Sequence, residues 1–239
     1  MNKLFILAGS SGAGKSTLLN RVVKEGYCDA ANKYSERKRF SSVDDVITVE
    51  NLDAPNLQCD LIYMMYGNRY GFCSEKIIEC LKEKSQILIT NDIKTIENLK
   101  KLFPKQVVII YIISDINKRL FREIYMERQG VPSLIGVKDQ IVEMLQNGEK
   151  MLLQDEGKKF LECVKRINQI IDSILLEEKE FKLRLESIER REELYLIEMF
   201  RYDYVVLNLY SNEIPLTHAT KFAFMQLKKI IHKETEDWK

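Results

Sequence analysis

Residues Gly9-Ser10-Ser11-Gly12-Ala13-Gly14-Lys15-Ser16 follow the pattern G-x-x-x-x-G-K-[ST], and no other feature restricts the fold of this chain as tightly. The run Leu4-Phe5-Ile6-Leu7-Ala8 in front of it is short and apolar, as a buried strand is. Behind it, Leu18, Leu19, Val22 and Val23 fall at helical spacing until Gly26 ends the pattern. A chance match in a Gly/Ser turn would not need that strand and helix on either side. In this order of strand, glycine loop and helix, backbone N–H groups turn inward around phosphate oxygens, and the helix N-terminus adds a favourable potential for an anion. Lys15 brings a compact positive charge to β and γ phosphates. The Ser16 hydroxyl can complete a Mg²⁺ shell that otherwise keeps waters and phosphate oxygens. Gly9, Ser11, Gly12, Ala13, Gly14, Lys15, Ser16 and Thr17 are therefore the expected triphosphate site, with Ser16 as the metal ligand.

Further short, β-branched runs predict buried strands at Ile87-Leu88-Ile89, from Val107 to Ile113, and at Val205-Val206-Leu207. Between them the pattern is helical from Ser74 to Lys84, with Ser74 as the expected N-cap, from Thr95 to Phe103, and from Ile116 to about Arg128. Thr217 is the expected cap of a last helix through His232. Strands alternating with helices imply an α/β fold, a mostly parallel sheet covered on both faces.

Composition narrows the function classes. In 239 residues, Lys plus Arg is 37 and Asp plus Glu is 36, a net charge of +1 that argues against a nucleic-acid coater. Cys28, Cys59, Cys73, Cys80 and Cys163 are odd in number, with no Cys-x-x-Cys pair and only His218 and His232 to assist a metal. That reads as a reducing, cytoplasmic setting without structural zinc. No apolar run is long enough to span a bilayer, and the start of the chain does not resemble a signal peptide.

Residues 158–201 contain no Gly or Pro, and their basic and acidic residues balance. From Phe160 to Met199 apolar residues recur in alternating steps of four and three, with Glu178 and Glu192 in the two missing slots. An unbroken helix of this length would reach about 66 Å at ~1.5 Å per residue. Such a seam either packs on its own domain or projects as an arm for a homodimer; both readings stay open. Gly148 and Gly157 separate it from a shorter helical stretch around Asp139 to Gln146.

Three more segments fall in a recognisable order: Tyr34-Ser35-Glu36-Arg37-Lys38-Arg39, then Tyr66-Gly67-Asn68-Arg69-Tyr70-Gly71-Phe72, and finally Glu193 ten residues before Asp203 in Tyr202-Asp203-Tyr204-Val205-Val206-Leu207-Asn208. With the glycine loop, the chain resembles the guanylate kinase family over roughly residues 3–128 and 184–232. The resemblance implies a P-loop kinase with three parts: a nucleotide-binding core, a small acceptor-binding subdomain at 33–73, and a mobile lid. Here the lid would be expanded by a helical insertion at 127–183. ATP and Mg²⁺ are the implied cofactors and a nucleoside monophosphate the implied acceptor. By position, Arg37 and Tyr70 would grip the acceptor phosphate, joined by Ser35 and Arg39, with Asp92 at the sheet edge and Phe72 at the base. Arg184 and Arg128 would be the lid arginines that meet the transferring group, and Asn208 would lie near the donor adenine. Arginine suits such roles because its planar, forked donors match phosphate oxygens.

The chain also departs from the family pattern. The second acceptor arginine would fall on Phe40, with Arg39 offset by one; Phe72 stands where a Ser or Thr reads guanine; and the base-reading glutamate falls on Leu61, beside Asp60. A phenyl ring cannot hydrogen-bond a guanine carbonyl, so phosphoryl transfer is better supported than guanine selectivity. Two other readings stand beside a GMP or dGMP kinase. One is a non-catalytic protein-interaction module, which would not need Lys15 and Ser16. The other is a P-loop kinase or NTPase acting on another phosphorylated acceptor, or on water.

Overall fold

A computed structural model describes residues 1–37, 46–115, 181–190, 193, 195–196, 199–209 and 216–235. The chain divides into two compact units, one of Met1–Phe121 with Arg184–Lys239 and the other of Arg122–Leu183. Arg39, Arg128, the expected helices at 116–128 and 139–146, and most of the heptad segment lie outside the described residues.

In the first unit, strands β1 (Leu4–Ala8), β2 (Asp29–Ala30), β7 (Gln86–Ile89), β8 (Val107–Ile113) and β9 (Tyr204–Leu207) form one sheet in the order β2-β7-β1-β8-β9. Every pairing in it is parallel. Leu4 to Leu7 lie opposite Gln86 to Ile89 on one side, and Leu4 to Ala8 lie opposite Val107 to Tyr111 on the other. The four expected apolar runs are all strands, and the sheet is parallel with helices on both faces, as the alternation predicts. All five residues of β1 are buried because the central strand of such a sheet is covered on both sides.

Side-chain alternation along the strands sorts the core into two layers. Phe5, Leu7, Ile87, Ile89, Ile110, Ile112 and Val206 pack with Leu18, Leu19 and Val22 of α1 (Lys15–Lys24) and with Ala223, Phe224, Leu227 and Ile231 of α4 (Leu216–Thr235). Leu4, Ile6, Leu88 and Ile109 face the other way. There they meet Ile77 and Leu81 of α2 (Ser74–Glu83) and Ile96 and Leu99 of α3 (Ile93–Leu102). A second sheet, β3 (Lys33–Ser35), β4 (Val46–Thr48), β5 (Leu61–Met65) and β6 (Asn68–Phe72) in the order β4-β3-β6-β5, joins this layer through Val46, Leu61, Tyr63, Tyr70 and Phe72. Its strands are only three to five residues long, too short for a clear periodic signal.

Three polar residues tie helix and strand ends together. Ser74 is not the cap of α2: Cys73 holds that position, and the Ser74 amide (2.8 Å) and hydroxyl both donate to the Asp60 carboxylate. Asp60 thus caps the helix from a distant turn, satisfying a donor that the helix leaves open. Asp92 is the N-cap of α3, accepting from the Thr95 amide at 2.8 Å. Asp203 accepts from the Ile109 amide at 2.7 Å while its own amide donates to the Ile109 carbonyl, which extends the β8–β9 ladder by one step.

Phe72 is fully buried, with Tyr63 stacked 6.1 Å from its ring. It packs as a core residue of the second sheet. Among the described residues, no helix is long and apolar enough to cross a membrane. Burial pushes the Cys28 thiol from an ordinary 9.0 up to about 12, whereas Cys80 is exposed.

Two outcomes check this packing. Phe72→Ala should lower unfolding free energy by about 3–5 kcal/mol in urea titrations; a loss below about 1 kcal/mol would place the ring outside the core. In native protein at pH 8, a thiol reagent should label Cys80 rapidly and Cys28 only after denaturation, because a thiol with a raised pKa holds almost no thiolate; equal rates by mass spectrometry would contradict the buried placement.

Candidate phosphate-binding site

β1 delivers the chain into the glycine loop at a point where there is no room for a side chain. Gly9 has φ +138°, and a Cβ there would lie 2.5 Å from the Ile112 carbonyl oxygen of β8. The clash would be with backbone of a central strand, which cannot move aside. The Asn91 carboxamide holds the same residue from the other side: Oδ1 accepts from the Gly9 amide at 2.8 Å and Nδ2 donates to the Gly9 carbonyl at 2.7 Å. Farther round, the Ala13 amide donates to the Ser10 carbonyl at 3.3 Å, and Asn208 Nδ2 donates to the Ala13 carbonyl at 2.8 Å.

Gly14, at φ 86°, turns the chain into α1, which carries no side-chain cap and no acidic residue in its first turn. The amino-terminal potential of the helix is therefore not cancelled locally, as an anion site requires. Lys15, half-buried, donates from Nζ to the Gly9 and Ser10 carbonyls, both at 2.7 Å. Ser16 is half-buried and Thr17 exposed on the same turn. A second cation comes from far along the sequence: Arg184 Nη1 donates to the Ser11 hydroxyl at 3.0 Å. The structure thus brings Lys15 and Arg184 to one loop. Among the described residues, no group of three or more His, Cys, Asp or Glu side chains could hold a metal ion.

The other expected residues lie on the second sheet or beneath the loop. Ser35 is fully buried; its hydroxyl donates to the Arg69 carbonyl at 2.6 Å and accepts from the Arg37 amide at 3.2 Å, so it orients Arg37 from inside. Tyr70 is buried, with the Arg37 guanidinium 5.8 Å and the Lys33 ammonium 5.0 Å from its ring centre and Tyr63 stacked at 5.5 Å. Arg69 binds Glu36 at 2.8 Å and Asp53 at 2.9 Å, which fixes the segment that carries Arg37. The Asp53 hydrogen bond is the main reason the Arg69 guanidinium is held above its ordinary pKa. Asn208 is fully buried under the loop at Ala13, where it supports the backbone. Leu61 is buried too.

Asn91 has no place in the sequence motifs, although it supports the loop directly. One signal points to it: it follows the carboxyl end of β7, beside β1, where parallel sheets collect ligand-facing residues.

A glycine loop at the carboxyl edge of a parallel sheet, opening a helix and flanked by helices on both faces, defines a P-loop nucleotide-binding fold. No protein-family model matches the chain. Guanylate kinase of Bartonella quintana (strain Toulouse) is 25% identical over 196 residues, covering 78% of this chain and 86% of that protein. Guanylate kinase of Bartonella henselae is 28% identical over 142 residues, 56% of this chain and 64% of that protein. The crystal structure of guanylate kinase from Anaplasma phagocytophilum superposes with a TM-score of 0.54 at 13% identity, covering 99% of this chain and 88% of that one. In sequence this chain is thus similar to guanylate kinases, and its fold is that of a guanylate kinase structure.

Asn91→Ala would leave the buried Gly9 amide without its acceptor, at a cost of about 1–3 kcal/mol. Calorimetry with a nonhydrolysable ATP analogue should show affinity reduced by about tenfold or more; wild-type affinity would show that the loop holds its shape without this clamp.

Proposed function

We propose that this chain is an ATP-dependent phosphotransferase acting on a nucleoside monophosphate, with GMP or dGMP the acceptors its family favours. The observation that carries the reading is the arrival of Arg184 at Ser11, a forked cation beside a loop that already presents Lys15. Phosphoryl transfer needs charge neutralisation and alignment more than a strong base. Two cations converging on one glycine loop fit that need.

The loop fits a triphosphate. Its backbone is held open by Gly9 and Asn91, and its Lys15 ammonium rests on two carbonyls that are weak substitutes for phosphate oxygens. In this reading Gly12, Ala13, Gly14 and Lys15 bind the phosphates through their amides, and the Ser16 hydroxyl would hold Mg²⁺. When bound there, the metal would supply charge that neutralises the phosphates. Arg37, oriented by Ser35, and Tyr70 hold the acceptor phosphate on the 33–73 sheet, so that one of its oxygens displaces ADP from the γ phosphorus. Arg184 stabilises the charge on the group in transit.

One observation favours a second acceptor class. Phe72 and Leu61 are packed in the core at the positions where guanine would be read by polar groups. The phosphate-holding residues are present while the base-reading ones are hydrocarbon, which suits weak selectivity for guanine or a different phosphorylated acceptor. The interaction-module reading is opposed by the complete loop with its Lys15 and Ser16.

The protein should release ADP from ATP and Mg²⁺ only in the presence of an acceptor, tested across nucleoside monophosphates and sugar phosphates. Release without acceptor would make it a hydrolase, and no release a binding module. Lys15→Met should lower turnover by about a hundredfold or more; unchanged turnover would remove Lys15 from the chemistry.

A further inference from the structure

The turn between β5 and β6 breaks a backbone rule. Met65 pairs with Asn68, so Tyr66 and Gly67 alone make the turn, at φ 50° and φ 80°. Such two-residue turns call for Asn-Gly, since both positions are left-handed. A bulky aromatic side chain at positive φ is uncommon and unfavourable. A residue that fits its backbone badly points to a role for its side chain.

The Tyr66 side chain has two contacts with the helical residues 184–189. The Arg184 guanidinium lies 4.7 Å from its ring centre, and its hydroxyl donates to the Ser187 hydroxyl at 3.2 Å. Arg184 and Ser187 are three residues apart and so lie on one helix face. The ring therefore supports the guanidinium while the hydroxyl fixes the next turn. The same guanidinium donates to Ser11 in the phosphate loop. A continuous path thus runs from the β5–β6 hairpin through Tyr66 and Arg184 to the loop.

We propose that Tyr66 is a positioning residue that holds Arg184 at the phosphate loop, so that the sheet carrying Arg37 and Tyr70 controls where this arginine sits. The inference rests on the phosphotransferase reading for its consequence in turnover, but not for the contact itself. The ring face attracts the cation without competing for its N–H donors, one of which reaches Ser11. Movement of the hairpin shifts the ring, and the guanidinium moves with it.

Tyr66→Asn separates the backbone from the side chain, because it installs the Asn-Gly turn while removing the ring. The variant should melt at or above the wild-type temperature. With the best acceptor from the panel, its kcat should fall about tenfold while KM for ATP stays within about twofold. Arg184→Ala should lose more, and the double variant should turn over no more slowly than Arg184→Ala alone, since one residue acts through the other. Tyr66→Phe, which keeps the ring, should retain most of the rate. Wild-type turnover in Tyr66→Asn, or losses that multiply in the double variant, would overturn the proposal. Amide hydrogen exchange on nucleotide-free protein supplies a readout independent of catalysis. Protection across residues 184–189 should drop in Tyr66→Asn, and unchanged protection would overturn the proposal even if wild-type protein proved inactive. Wild-type inactivity with every acceptor would instead sink the phosphotransferase reading and leave exchange to decide the role of Tyr66.

Discussion

The exit of the chain from β1 is where the rest of the molecule meets. Gly9 is wedged against the Ile112 carbonyl of β8 and clamped by Asn91 from the end of β7. These strands are the two neighbours of β1 in the sheet. The position of the phosphate loop is therefore set by the register of three central strands rather than by the loop itself. Asn208, just after β9, adds a fourth support at Ala13. Because each support is a backbone atom or a short, held side chain, the loop amides are aimed before any ligand arrives, which lowers the entropy lost on binding.

The electrostatics follow from that geometry. α1 begins at the loop with neither an acidic residue nor a side-chain cap in its first turn, so its amino-terminal potential acts on whatever the loop holds. Lys15 turns back on two loop carbonyls, partial charges that a phosphate oxygen would outcompete. Arg184 adds a full positive charge from a segment far away in sequence. Charge is thus concentrated at one site of a chain that is nearly neutral as a whole, +1.

The second sheet divides its work by face and by residue type. Arg37 stands near the ring face of Tyr70, and Arg69 ties down the segment around it through Glu36 and Asp53. Tyr63, Tyr70 and Phe72 stack in series into the core beneath. Leu61 and Phe72, at positions where the resemblance implies polar base readers, are buried side chains of this sheet.

Much of the parallel sheet was legible from residue order alone. Leu4 to Ala8, Ile87 to Ile89, Val107 to Ile113 and Val205 to Leu207 are continuous apolar runs because both faces of such a sheet are covered, and burial writes itself directly into composition. The glycine loop was legible for a similar reason, since its backbone tolerates few residue types and its neighbours are contiguous. The β3–β6 sheet was not, because its strands are short and their burial depends on what packs beside them. Nor were the roles of Asp60, Asn91, Tyr66 and Asn208, each of which acts on a partner at least fourteen residues away. Phe72 shows the same limit in the other direction: a motif position suggested a ligand contact, and only three-dimensional packing revealed a fully buried ring. Local pattern determined the longer parallel strands, the helices packed on them and the glycine loop, because those depend on backbone preferences and periodic burial. Tertiary structure decided which polar side chains support the loop and which cation reaches it, because long-range hydrogen bonds leave no periodic trace in the chain.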